Sequence, residues 1–310
     1  MASTLDNFGG TFFIRKSLIS IYIQMCNDRR LKLLCLHGHP GNSEAMQVFV
    51  SYFRERGLEV IAPDLRGYGN SQVKANFTMS SHIEDLWHLL IHDQADLEDS
   101  KSTEYLILGW SLGGILAIEL ALQALANHLD LHTKPKIKGL ILIATAAKPR
   151  SSLPKITWWE YANLVIAVVS HLALSQIFAK SPAKPRWHIE LFGKRSLIGY
   201  LIQQHTATAY DHIATTGAKA YLQTSRHAHR ALTQALRQGY DRTQDLAKIQ
   251  IPCLAIAAAQ DRHITAAATA ETAELLPNCE FICYPQTAHL LPWEIGDRLL
   301  ADINAWIEKT

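Results

Sequence analysis

Gly109-Trp110-Ser111-Leu112-Gly113-Gly114, directly after the apolar run Tyr105-Leu106-Ile107-Leu108, has the residue types that nucleophilic chemistry needs. A buried strand that turns abruptly into a helix can present a serine hydroxyl, and the flanking glycines remove the side chains that would collide in so tight a turn. Ser111 is the candidate nucleophile. Free serine is a poor one, so it requires a base within hydrogen-bond reach and a third group that orients the base. His289 follows the apolar run Phe281-Ile282-Cys283-Tyr284, and Asp261 follows Cys253-Leu254-Ala255-Ile256. His289 is the candidate base, and Asp261 the carboxylate that holds its imidazole in the accepting tautomer. Capping of the helix expected after it is the other use for Asp261. Asp241 and Asp245 lie before the strand, at its wrong end, and are weaker candidates.

Attack on an acyl carbon creates an oxyanion, which backbone N–H groups stabilise. The N–H after the nucleophile, on Leu112, is one donor. A second glycine turn, His37-Gly38-His39-Pro40-Gly41, ends the apolar run Leu33–Leu36, and Pro40 has no N–H to offer. Between the two turns lies Asp64-Leu65-Arg66-Gly67-Tyr68-Gly69-Asn70-Ser71.

These blocks, with the chain order Ser, Asp, His, resemble the α/β-hydrolase superfamily over about Leu31 to Ala147 and Gln250 to Ile307. The elbow is similar to that of pimeloyl-acyl-carrier-protein methyl ester carboxylesterases. His-Gly-His-Pro is similar to the turn of epoxide hydrolases and haloalkane dehalogenases, and also to the His-Gly-Gly-Pro-Gly of proline iminopeptidases. The resemblance implies that the His39 N–H completes the oxyanion hole with Leu112. It further implies hydrolysis of a carboxylic ester, or a thioester, through an acyl-enzyme, with no metal and no cofactor. C–C bond hydrolysis and a non-catalytic ligand-binding role are the alternatives. Ser111 excludes the alkyl-carboxylate ester of aspartate-nucleophile relatives. An iminopeptidase would recognise a substrate ammonium with carboxylates, and residues 148–240 hold only Glu160, Glu190 and Asp211.

The elements that must position these groups follow from hydrophobic periodicity. Strands are predicted at Leu31–Leu36, Leu58–Ala62, Glu104–Leu108, Ile137–Ile143, Pro252–Ala257 and Glu280–Tyr284. Helices are predicted near Ser43–Glu55, Ser81–Asp96, Leu112–His128, Ala266–Leu276 and Ile295–Glu308, and the segment Thr11 to Met25 supplies one or two antiparallel edge strands. Such alternation predicts an α/β-hydrolase fold: a mostly parallel central sheet, helices on both faces, and the strand ends on one edge. Residues 1–147 and 241–310 form this core, and 148–240 a helical cap inserted before the penultimate strands.

The cap segment carries twelve Lys and Arg against three acidic residues, a net of +9, while the rest of the chain carries −7. That asymmetry points to an anionic partner, such as a carrier-linked substrate or a phospholipid surface, or simply to a solvated basic face. No nucleic-acid motif accompanies it. The run Ile156–Phe178 is long enough to span a bilayer. Glu160, Asn163, Ser170, His171, Ser175 and Gln176 argue against stable insertion. A buried or half-buried lid helix is the expectation, with reversible docking on an anionic membrane as the alternative. Five cysteines (Cys26, Cys35, Cys253, Cys279, Cys283) read as reduced core residues, none in a cluster with zinc spacing. No signal peptide is evident at the start, so the expected location is cytoplasmic and the sequon at Asn76 is idle.

Overall fold

The computed structural model describes residues 30–95, 103–126, 135–180 and 185–310. The edge strands expected within Thr11 to Met25 lie outside these residues, as do Cys26, Asp96 and His128.

Six strands form one parallel sheet: β1 (Arg30–Leu36), β2 (Glu59–Ile61), β3 (Thr103–Trp110), β4 (Lys136–Ile143), β5 (Cys253–Ala258) and β6 (Cys279–Tyr284), in the order β2-β1-β3-β4-β5-β6. The runs of the four central strands, β1, β3, β4 and β5, are almost continuously apolar because both faces are covered, whereas β6 at the edge is largely exposed. Alternate residues serve opposite cores. Leu33, Cys35, Leu106, Leu108, Ile141 and Ile143 pack with Phe49, Phe53, Ile303 and Trp306, carried by α1 (Gln47–Glu55) and the C-terminal helix Gly296–Lys309. Leu34, Leu36, Tyr105, Ile107, Leu140 and Leu142 pack with Leu86, Leu90, Leu116 and Leu120, carried by α2 (Met79–Ala95) and α3 (Leu112–Ala126). The strand order reverses around β1, with β2 on one side and β3 on the other. The ends of β1 and β3 therefore flank the crevice where open α/β sheets bind ligands.

Between β4 and β5 the chain forms α4 (Trp158–Ile177), α5 (Trp187–Leu191), α6 (Ile198–Leu201), α7 (Ala207–His212), α8 (Ala218–Leu222) and α9 (Arg226–Arg237). Hydrogen bonds tie this insert to loops at the sheet's C-terminal edge. Asn42 Nδ2 donates to Gln223 Oε1 at 3.0 Å, Ser225 N–H to the Gly67 carbonyl at 2.8 Å, and Leu290 N–H to the Leu201 carbonyl at 3.0 Å. After β5 and β6 come α10 (Ala266–Leu275), α11 (Leu291–Glu294) and α12 (Gly296–Lys309).

The helix expected over Ile156–Phe178 forms as α4 and is half-buried: Ala167 and His171 are enclosed and Leu164 and Val168 partly so, while Trp158, Trp159, Val165 and Val169 face solvent. The cysteines do not all belong to the core: Cys35 and Cys253 are buried, but Cys283 is exposed. It lies on β6, the outermost strand on its side of the described sheet.

Candidate active site

β3 runs two residues further than its apolar stretch, so Ser111 sits at the very start of the turn into α3. Its φ is 55°, the left-handed region that costs a residue with a Cβ about 1–3 kcal/mol. Surrounding contacts hold it there: Ser111 N–H donates to the Ile143 carbonyl at 2.9 Å, and its own carbonyl accepts from Gly114 and Ile115. A Cβ on Gly109 would collide with the Gly113 carbonyl, and one on Gly113 with the carbonyl of Leu36. The two glycines of G-x-S-x-G are thus required by backbone packed on backbone.

The three residues singled out for chemistry meet. His289 Nε2 lies 3.1 Å from Ser111 Oγ, and His289 Nδ1 lies 2.8 Å from Asp261 Oδ2. All three are buried. The second Asp261 oxygen accepts the N–H groups of His263 at 2.8 Å and Ile264 at 3.0 Å, which fixes the carboxylate. Capping of α10 falls to Thr265, whose hydroxyl faces the Ala268 N–H. Asp241 pairs with Lys148, and Asp245 with Lys248 and Arg242, away from His289.

The turn after β1 abuts the serine, because a side chain at Gly38 would meet Ser111 Cβ at 3.2 Å. His37 shapes this turn. The Leu65 N–H donates to its Nε2 at 3.1 Å, so the proton must sit on Nδ1, which donates to the Gly38 carbonyl at 2.9 Å. Burial pulls the His37 pKa down to about 4, keeping the ring in that neutral form. Leu112 opens α3, where N–H groups lack partners within the helix. Among the described hydrogen bonds, neither the Leu112 nor the His39 N–H has an acceptor. The His39 side chain packs inward: Nδ1 is 2.7 Å from the Tyr68 hydroxyl, and its ring meets that of His229 at 4.5 Å. Burial, then the neighbouring His229, lowers its pKa to about 3.

Three supporting residues have no role assigned to them from the sequence. His37, inside the His-Gly-His-Pro turn, is one. Trp110 is another, its indole N–H donating to the His289 carbonyl at 3.1 Å. Glu294 is the third. It accepts the Ala288 N–H beside His289, and the N–H groups of Gln203 and Gln204 from the insert, each at 2.8 Å. Burial raises its pKa although these donors oppose the shift. Glu294→Gln should keep the fold but slow turnover about tenfold or more, because an amide cannot satisfy the same three donors and the His289 loop loosens. Steady-state kinetics with a thermal midpoint as control checks this, and unchanged kinetics would remove Glu294 from the positioning of His289.

A family model described as serine aminopeptidase, S33, matches residues 27–295. A proline iminopeptidase of Thermoplasma volcanium is 23% identical, with 96% of each chain covered. A pimeloyl-[acyl-carrier protein] methyl ester esterase of Hamiltonella defensa is also 23% identical, covering 87% of this chain and 90% of that protein. Among solved structures, a thermophilic esterase from Thermogutta terrifontis superimposes with a TM-score of 0.60 at 21% identity, covering 90% of each chain. The span of the family match, and a sheet and turn geometry of the kind just described, make this chain a member of the serine aminopeptidase S33 family of α/β-hydrolase enzymes.

Proposed function

We propose that this chain hydrolyses a carboxylic ester through an acyl-enzyme formed on Ser111. The observation that carries the reading is the continuous line from Asp261 through His289 to Ser111, with hydrogen bonds of 2.8 and 3.1 Å. His289 Nε2 takes the Ser111 proton as Oγ bonds to the carbonyl carbon, and the electron pair of the C=O bond moves to oxygen. The Leu112 and His39 N–H groups receive that oxyanion. As it collapses, the alkoxide leaves with the proton held by His289. Water then repeats the sequence with His289 as base, releasing the acid and restoring the serine. Residues 148–240 act as the cap over this centre.

An ester fits better than an aminoacyl substrate. Of the three carboxylates in the insert, Glu160 caps α4 by accepting the Thr157 N–H at 2.7 Å, Glu190 pairs with Lys194 at 2.7 Å, and Asp211 lies 3.7 Å from His171. Glu160 and Glu190 are engaged and Asp211 is 59% exposed, so no buried carboxylate of the insert is on hand for a substrate ammonium. The basic insert and the carrier-protein esterase relative support an acyl group presented by an anionic carrier. The test is labelling with a fluorophosphonate probe, alongside hydrolysis of p-nitrophenyl esters and of aminoacyl p-nitroanilides. Stoichiometric labelling lost in Ser111→Ala, with preference for the esters, is the expected result. No labelling, or preference for the free-amino anilides, would overturn the reading.

A further inference from the structure

The least expected feature of the surface is α4. Helices that are apolar all round belong in a core or against lipid. This one buries a single stripe, in which Leu164, Ala167, Val168 and His171 pack on the insert and core. On its other side Trp158 is 64% exposed, Trp159 62%, Val165 60% and Val169 60%, with Tyr161, Ile166 and Leu172 beside them. The two tryptophan rings stack on each other at 3.6 Å, and both face solvent. Trp187 and Leu191 of α5, which packs against α4, are half exposed as well.

The charges around this surface select its partner. Lys155 precedes the helix, Lys180 follows it, and Arg195 lies beside it, its carbonyl accepting from Asn163 Nδ2 at 3.1 Å. All three are exposed, and none forms an ion pair among the described residues. The acidic groups nearby are already engaged, Glu160 in the helix cap and Glu190 with Lys194. An apolar, aromatic-ended face rimmed by free cations matches a bilayer with anionic headgroups: rings and branched chains enter the acyl boundary while the cations stay at phosphate level. A helix of this length, about 30 Å, could cross a bilayer. It cannot do so here without breaking the Asn163 bond and the 3.0 Å contact between His171 and His188 that fasten its inner stripe.

We propose that the exposed face of α4, with Trp187 and Leu191, is an interfacial docking surface for an anionic lipid bilayer. Docking is independent of the reaction assigned to Ser111, so Ser111→Ala should bind membranes as the wild type does. The experiment is flotation of the full chain with phosphatidylcholine vesicles prepared with and without phosphatidylglycerol. Binding is expected to the anionic vesicles and to fall as salt screens the rim. The triple variant Trp158→Ala/Val165→Ser/Val169→Ser and the reversal Lys155→Glu/Lys180→Glu/Arg195→Glu should each weaken it about tenfold or more. All the altered side chains are exposed, so thermal midpoints should stay near that of the wild type. Equal binding to both vesicle types, undiminished binding by the triple variant, or a dimer abolished by that variant in a protein that ignores vesicles would each overturn the proposal.

Discussion

Ser111→Ala and His289→Ala are each expected to reduce turnover of a short p-nitrophenyl ester by about a thousandfold or more, and the double variant by no more than either alone. Non-additivity is the informative part. Ser111 Oγ and His289 Nε2 share one proton, so removing either ends the same step. Asp261→Asn should also cost several orders of magnitude while leaving the fold intact, because an amide facing Nδ1 favours the tautomer that has no lone pair toward Ser111. His263, whose ring lies 4.9 Å from that of His289, offers no bypass. Burial, then the proximity of His289, lowers its pKa to about 4, and the described bond to Ser111 comes from His289. Additive losses in the double variant, or a Ser111→Ala enzyme that keeps most of its activity, would place the chemistry elsewhere.

What could be read from the sequence divides by range. The serine turn was legible because a strand, a glycine pair and a helix adjoin within a few residues, and steric necessity acts on neighbours. The four central strands were legible because a sheet covered on both faces demands unbroken apolar runs, and β2 and β6 at the edges from shorter runs, although β3 extends to Trp110 and β2 is shorter than its pattern. The supporting residues were not. Glu294 matters through N–H groups about ninety residues away, and Trp110 through a carbonyl 179 residues distant. Nothing in either local pattern marks those pairings. The extent to which α4 is covered was not legible for a related reason: its periodicity gives the helix but does not say how many of its sides the neighbours cover. The enclosure of His37 and His82 is likewise invisible in the sequence, which cannot tell a solvated ring from a packed one.

Those histidines predict marked acid lability. His37 and His82 are almost fully enclosed, and His263 and His39 are mostly so. Burial lowers the pKa of His37, His82 and His263 to about 4 each, and of His39 to about 3. In an unfolded chain each would titrate near 6.5. Above that pH both states are neutral and the groups do not bear on stability. As pH falls below 6.5 the unfolded chain gains protons that the folded one refuses, so stability is lost progressively down to about pH 4 and changes little from these groups below it. A shift of that size is worth up to about 3 kcal/mol for one enclosed ring. Neighbouring rings do not add fully, yet even part of the sum is large beside a domain stability of about 5–15 kcal/mol. Urea midpoints should therefore drop steeply between pH 7 and about pH 4.5. His82 offers the control, since neither of its ring nitrogens has a partner among the described residues and its ring packs on Tyr68 and Phe77. His82→Leu breaks no described hydrogen bond and should flatten the pH slope by about one proton. A wild-type midpoint that holds constant across that range would mean that these rings take up protons without leaving the fold.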